Sequence, residues 1–262
     1  MSPKNKKVIE SLKGRQKKSK DRRKIGLIVE GGGMRGVFAG GALLALEELG
    51  HSSSFDVLYA SSSGSCASAY FLSGETKKGL SVYLEDLTGF KFIKPWRVTK
   101  IMDIDFLVDE IFRKRKRLNQ ARLKNNRTEL KIYVTDAETG KPECFTNRDG
   151  VNILKAIKAS CALPIWYNRA VKVGNITAVD GNALKALPID SAITDGCTDL
   201  LVISTVPKHY REATGRKVVR AIKRQFLSAF SYHYRQTYSQ KYTDYNESLD
   251  IIFGEKRIHG KI

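Results

Sequence analysis

Two short stretches carry residue types suited to acyl transfer: Glu30-Gly31-Gly32-Gly33-Met34-Arg35-Gly36 and Ala60-Ser61-Ser62-Ser63-Gly64. Each follows a short apolar run and precedes a run of helical character. The first offers converging backbone N–H groups, and the second offers an alcohol. A nucleophile and preorganised donors for the oxyanion it creates are what an acyl-enzyme reaction needs.

A serine on a sharp strand-to-helix turn requires small residues two positions before and after it. Ser62 has Ala60 and Gly64 there, whereas Ser61 has Tyr59, and Ser63 has Ser61 and Ser65. Ser62 is therefore the expected nucleophile, with Ser63 next; a helix N-cap in a serine-rich loop is the plainer reading. In the glycine turn, Gly31, Gly32, Gly33, Arg35 and Gly36 surround the point where N–H groups and a helix dipole meet. The same residues satisfy the dinucleotide pattern G-x-G-x-x-G, which calls for an acidic residue about 20 positions on, at the end of the next strand. Asp56 has the spacing, but it precedes its strand, Val57-Leu58-Tyr59-Ala60, and so belongs to the wrong edge.

The residues alone leave the general base open. A Ser-Asp-His order makes His209, His233 and His259 candidates, none in a persuasive setting. Asp180, in Val179-Asp180-Gly181-Asn182-Ala183, ends a strand on a glycine turn. A carboxylate serves directly as base if its pocket raises its pKa and it touches the serine oxygen. Asp-Gly is also an ordinary turn.

The elements that must position these groups read as repeated strand–turn–helix units, which implies a parallel sheet with right-handed crossovers. Ile25–Val29 is a strand, Val37–Leu49 a helix, Val57–Ala60 a strand and Cys66–Leu72 a helix. Helices follow over Lys77–Leu87 and Ile104–Lys114, with loop between. Leu130–Thr135 and Glu143–Thr146 alternate as strands joined by a turn. A helix spans Asn152–Ala159, Ala178-Val179 leads into Asp180, and Leu200–Ser204 is a late core strand. From Arg216 a helix carries Val218, Ile222, Phe226, Phe230, Tyr234 and Tyr238 on one side. That stripe fits packing on the core, or a helix lying on a membrane surface.

The 262 residues suit one large α/β domain over residues 25–262. The 46 basic against 27 acidic residues give a net charge of +19, concentrated at the start. Residues 1–24 hold 11 Lys/Arg against Glu10 and Asp21, which predicts a flexible or loosely helical basic tail. Its partner is expected to be anionic, a membrane surface before nucleic acid. No apolar run follows that tail as in a secretory signal, and none reaches the roughly 18 residues of a membrane span. Cys66, Cys144, Cys161 and Cys197 show no metal spacing and read as reduced, buried thiols of a cytosolic protein.

Taken together, these blocks resemble the patatin-like phospholipases, specifically the compact bacterial type. The resemblance rests on Glu30–Gly36, on Ala60–Gly64, on Ala159-Ser160-Cys161-Ala162-Leu163-Pro164, and on Val179-Asp180-Gly181-Asn182 with Leu187-Pro188-Ile189. They occur in the family's order over residues 25–205. The resemblance implies a three-layer α/β/α fold with a mainly parallel central sheet. It implies a Ser62–Asp180 dyad without histidine, and backbone donors around Gly32, Gly33 and Arg35. It also implies lipid ester substrates, phospholipids among them, with no metal or other cofactor. Ala60 and Asn182 depart from the family's usual glycine and its usual glycine or alanine. The expectation is a cytoplasmic enzyme, peripheral at the inner membrane face, with no specific nucleic-acid partner. A Ser-His-Asp carboxylesterase, a dinucleotide-binding protein and a basic nucleic-acid-binding module are the competing readings.

Overall fold

A computed structural model of the chain describes residues 3–17, 22–213 and 225–254. In chain order its elements are α1 (Pro3–Gln16), β1 (Ile25–Val29), α2 (Gly36–Glu48), β2 (Val57–Ser61), α3 (Ser63–Leu72), α4 (Thr76–Ser81), α5 (Gln120–Lys124), β3 (Glu129–Asp136), β4 (Pro142–Thr146), α6 (Ile153–Ser160), β5 (Val171–Val173), β6 (Ile176–Asp180), α7 (Ile189–Thr194), β7 (Asp199–Ile203) and α8 (Tyr232–Phe253). Two π-helical stretches, Val82–Asp86 and Phe106–Arg115, complete the expected helices near those positions.

β7, β1, β2 and β3 run parallel, and β4, β6 and β5 join antiparallel. Side chains alternate along the strands, as a pleat requires. Leu27, Val29, Leu58, Ala60, Ile132 and Val134 face one side, where α2, α3 and α6 cover them. Ile28, Val57, Tyr59 and Tyr133 face the other, against α7 and the Tyr245 and Leu249 side chains of α8. The sheet is thus buried on both faces, the three-layer arrangement expected for parallel strands. β7 is an exception to the sequence reading. Its apolar run suggested a core strand, but it lies at the sheet edge and is mostly half-buried.

The register around β3 matters most. β2 pairs with Glu129 to Tyr133, β4 with Lys131 to Thr135, and β6 with Val134 to Asp136. β4 overlaps both of the others, so it takes the opposite edge. β2 and β6 therefore meet end to end along one edge of β3. Ser61 stands opposite Tyr133, and Asp180 stands opposite the next residue, Val134.

At the chain ends, α1 buries Leu12, and its Arg15 pairs with Asp56 at 3.0 Å. Residues 18–21 and 214–224 of the expected tail and late helix lie outside the described residues. The late helix is capped anew at Ser231, whose hydroxyl accepts the Tyr234 N–H, and runs from Tyr232. Tyr234 is fully buried beside Val179, Ala137 and Leu227, so this part of the stripe packs on the core. No helix among the described residues is long and apolar enough to cross a membrane.

α8 is tied to the glycine turn by one buried contact: the Tyr245 hydroxyl donates to Glu30 Oε1. Glu30 is itself buried, and its Oε2 accepts from Ser204 Oγ at 2.8 Å and from the Thr205 N–H. Tyr245→Phe deprives a buried carboxylate of a donor, so the folded state is expected to lose about 1–3 kcal/mol in urea unfolding. A loss below about 0.5 kcal/mol would show that α8 is held elsewhere.

Candidate active site

Ser62 occupies the single residue between the end of β2 and the start of α3. Its backbone has φ 51° and ψ −132°, a combination strained for any residue with a side chain. The turn is sharp enough that α3 crosses directly over β1. A Cβ on Gly64 would lie 2.3 Å from the Val29 carbonyl oxygen, so only glycine fits there. Two neighbouring serines hold the strained residue. The Ser62 N–H donates to Ser160 Oγ at 2.8 Å, and the Ser160 hydroxyl donates in turn to the Tyr133 carbonyl at 2.7 Å. The Ser65 hydroxyl donates to the Ser62 carbonyl at 2.6 Å.

Asp180 arrives from the other direction. Its N–H donates to the Ala162 carbonyl at 3.1 Å, and its carbonyl accepts from the Thr135 hydroxyl at 3.0 Å. The carboxyl group is buried, and Oδ1 has no hydrogen-bond partner among the described residues. Burial pushes its pKa up to about 7. The Asn182 backbone N–H, the Lys241 ammonium and the Ser62 hydroxyl pull it back down, but only in part. This is a carboxylate poised near neutrality with a serine hydroxyl as neighbour.

The glycine turn flanks both groups. Gly33 has φ +59°, which glycine adopts without penalty. Of the expected donors, the Arg35 N–H bonds to the Gly32 carbonyl at 3.1 Å, and the Gly36 N–H bonds to the Gly33 and Met34 carbonyls. These two are committed within the turn. The N–H groups of Gly32 and Gly33 have no acceptor among the described residues. The Arg35 side chain instead reaches Thr205 Oγ1 at 3.4 Å.

Two cavities flank this point, with Leu163 in the walls of both. An apolar one, with Ser62, Cys66, Leu87, Phe92, Met102 and Leu107 in its walls, encloses only about 20 Å³. A polar one of about 180 Å³ has Arg35, Asp180, Asn182, Glu212, Tyr238 and Lys241 in its walls. Lys241 is held over the rings of Tyr238 and Tyr242 and donates to Glu212 Oε1 at 3.2 Å.

The other candidates lie apart. His209 and His233 are exposed and line neither cavity, and His259 is outside the described residues. Asp56 accepts the Ile25 N–H at 2.8 Å and pairs with Arg15, at the end of the parallel strands opposite Ser62. The four cysteines are free thiols, Cys66 and Cys161 buried with their sulfurs 3.5 Å apart, Cys144 and Cys197 half-buried. Three roles escaped the sequence reading, although Ser160 and Asn182 stand in blocks that it quoted. Ser160 braces the elbow, the Asn182 side chain accepts from Ser61 Oγ at 2.6 Å, and Lys241 faces Asp180 from α8. Their residue types carry no local signal, because each acts through a contact distant in the chain.

Residues 27–193 match a family model described as Patatin-like phospholipase. An "Uncharacterized protein YjjU" of Escherichia coli (strain K12) is 28% identical over 189 residues, which cover 70% of this chain and 52% of that protein. Among solved structures, VipD from Legionella pneumophila aligns with a TM-score of 0.44 and 14% identity over 62% of this chain and 46% of its own. The type III effector protein ExoU aligns with a TM-score of 0.33 and 13% identity over 82% and 53%. The chain thus spans about half the length of each of these proteins.

The raised pKa of Asp180 has a thermodynamic counterpart. A carboxyl at about 7 when folded and 3.8 when free makes ionisation costly to the fold, by at most about 4 kcal/mol. The cost grows as pH rises from about 4 to 7 and is complete above that. Asp180→Asn is therefore expected to be more stable than the parent at pH 8 by about 2–4 kcal/mol, and near parity at pH 4. Urea titrations at the two pH values check this; an equal difference at both would contradict it.

Proposed function

The chain belongs to the patatin-like phospholipase family, and from that premise we propose a serine lipid acyl hydrolase of the phospholipase A type, working through Ser62 and Asp180 without a histidine. Ser62 Oγ attacks the ester carbonyl carbon while its proton passes to the Asp180 carboxylate. The oxyanion is received by the N–H groups of Gly32 and Gly33, each such donor being worth about 3 kcal/mol in a preorganised site. Asp180 then protonates the leaving alcohol, and the acyl-enzyme remains. Water attacks next, giving its proton to Asp180, and the carboxylic acid departs as Ser62 regains a proton. The apolar cavity takes the start of the acyl chain, and the polar one faces the alcohol side of the ester. The substrates are phospholipids or other lipid esters, met by a cytoplasmic enzyme at an anionic membrane face.

The observation that supports this most is the buried carboxyl at about 7, with the Ser62 hydroxyl among the groups that bear on it. A general base is most effective with a pKa near the working pH. The exposed settings of His209 and His233 disfavour the Ser-His-Asp alternative, and Asp56 at the far end of the parallel strands disfavours a dinucleotide site.

Ser62→Ala and Asp180→Asn are each expected to lower kcat/KM on a short-chain ester by about 10³-fold or more, and only Ser62→Ala to abolish fluorophosphonate labelling outright. His209→Asn and His233→Asn should retain activity; loss on either would replace the dyad with a histidine mechanism. In the parent, kcat/KM should rise about tenfold per pH unit up to about 7 and level off above it. Lys241→Met removes a charge that favours the ionised carboxyl, so the midpoint should move to higher pH.

A further inference from the structure

We infer that the segment 89–102, with Trp166 beside it, is a docking surface for an anionic lipid bilayer, seated over the mouth of the apolar cavity. The inference rests on the proposed reading of Ser62 as a lipid-cleaving nucleophile and says where the lipid meets the protein.

Residues 89–102, Gly-Phe-Lys-Phe-Ile-Lys-Pro-Trp-Arg-Val-Thr-Lys-Ile-Met, contain four basic residues and no acidic one. Residues 92–103 form a small hairpin, and a 3-10 turn over Gly89–Lys91 leads into it. The Lys94 N–H donates to the Ile101 carbonyl at 2.7 Å, the Asp103 N–H to the Phe92 carbonyl at 2.8 Å, and Ile93 bridges Met102. Its base is inside the protein: Phe92 and Met102 line the apolar cavity with Ser62. Asp103 fixes the base from below, pairing with Lys94 at 2.7 Å and Arg97 at 3.0 Å.

Its tip is not covered. Phe90 is 67% exposed, Trp96 65% and Val98 77%. Trp166, 49% exposed, is joined to the hairpin where its carbonyl accepts the Met102 N–H at 3.0 Å. Phe90 and Trp96 stack edge to face at 5.3 Å, so they present one apolar face instead of two scattered side chains. Nine large apolar side chains are exposed among the described residues, and these are four of them. Such a patch on a soluble surface marks an interaction site.

Three features select a bilayer as the occupant. Both tryptophans of the chain are here, and indole rings favour the boundary between acyl chains and head groups. Lys94 and Arg97 share Asp103 and Lys100 pairs with Asp105, so with Lys91 the four cations of the segment outnumber the two carboxylates that meet them, and the net positive charge suits anionic head groups. The patch is also continuous, through Phe92 and Met102, with the cavity that reaches the nucleophile. A lipid held at the tip stands beside the wall of the cavity that Ser62 also lines. The basic helix α1 does not offer this, because Arg15 is paired to Asp56 at the opposite end of the parallel strands.

The two tryptophans make the test direct. Full-length Ser62→Ala protein, which binds without cleaving, is titrated with vesicles of phosphatidylcholine alone or of phosphatidylcholine with phosphatidylglycerol. Anionic vesicles should shift the tryptophan emission to the blue, and brominated acyl chains should quench it. Phe90→Ser with Trp96→Ser should weaken binding to anionic vesicles about tenfold or more. In the Ser62 parent background, the same pair should leave kcat/KM on a monomeric short-chain ester unchanged while lowering turnover of vesicles. If that pair fails to fold, bromolipid quenching of the unaltered tryptophans still decides. Vesicle binding without a blue shift or quenching, or binding that the pair leaves unchanged, would overturn the inference. So would lipid-free self-association that the pair abolishes, which would make the patch a contact between copies. Failure of the ester assay alone, with quenching retained, would count against the hydrolase reading and leave the docking surface standing.

Discussion

Tyr133 and Val134 are consecutive residues of β3, and the site depends on what pairs with each. The end of β2 takes Tyr133 and the end of β6 takes Val134, from opposite directions along one edge. A strand that ends in a serine elbow thereby abuts a strand that ends in a carboxylate. The hydroxyl of Ser160 spans the join, receiving the Ser62 N–H and donating to the Tyr133 carbonyl. A shift of one residue in either register would turn a side chain to the other face of the sheet and part the two groups.

This arrangement works against stability in two ways. Ser62 sits in a strained backbone conformation, and Asp180 is a buried acid whose ionisation the interior resists. Both are tolerated because the surroundings over-determine them. Gly64 lets α3 pass close above β1, Ser65 and Ser160 hold the elbow, and Ala162 and Thr135 hold the backbone of Asp180. Glu30 and Tyr245 add a second tie, from the glycine turn to α8, an element outside the family match. Lys241 comes from that same helix and bears on the charge of Asp180.

Much of this was legible locally. The elbow announced itself because its steric demand falls on residues two before and two after the serine, and Ala60 and Gly64 satisfy it. The strand–turn–helix repeats and the parallel sheet followed from apolar runs and their punctuation, whereas the cover on both faces of the sheet was what the resemblance implied. What could not be read was non-local. Nothing in the spacing of 118 residues between Ser62 and Asp180 states that β6 joins the edge β2 has vacated; the resemblance supplied that pairing, and the residues alone left histidines in contention. β7 looked like a core strand because Leu200 to Ile203 is apolar, whereas its place at the edge is a matter of topology. The commitment of the Arg35 and Gly36 N–H groups inside the turn, the side-chain contact of Asn182 and the reach of Lys241 likewise depend on the folded chain.

The most direct test is a double-mutant cycle on kcat/KM for a soluble ester, with Ser62→Ala, Asp180→Asn and the two combined. Groups that act as one unit are far from additive, so the double variant should be no slower than Ser62→Ala alone. If Asp180→Asn instead costs as much in the Ser62→Ala background as it does in the parent, the two residues act independently and the dyad is refuted.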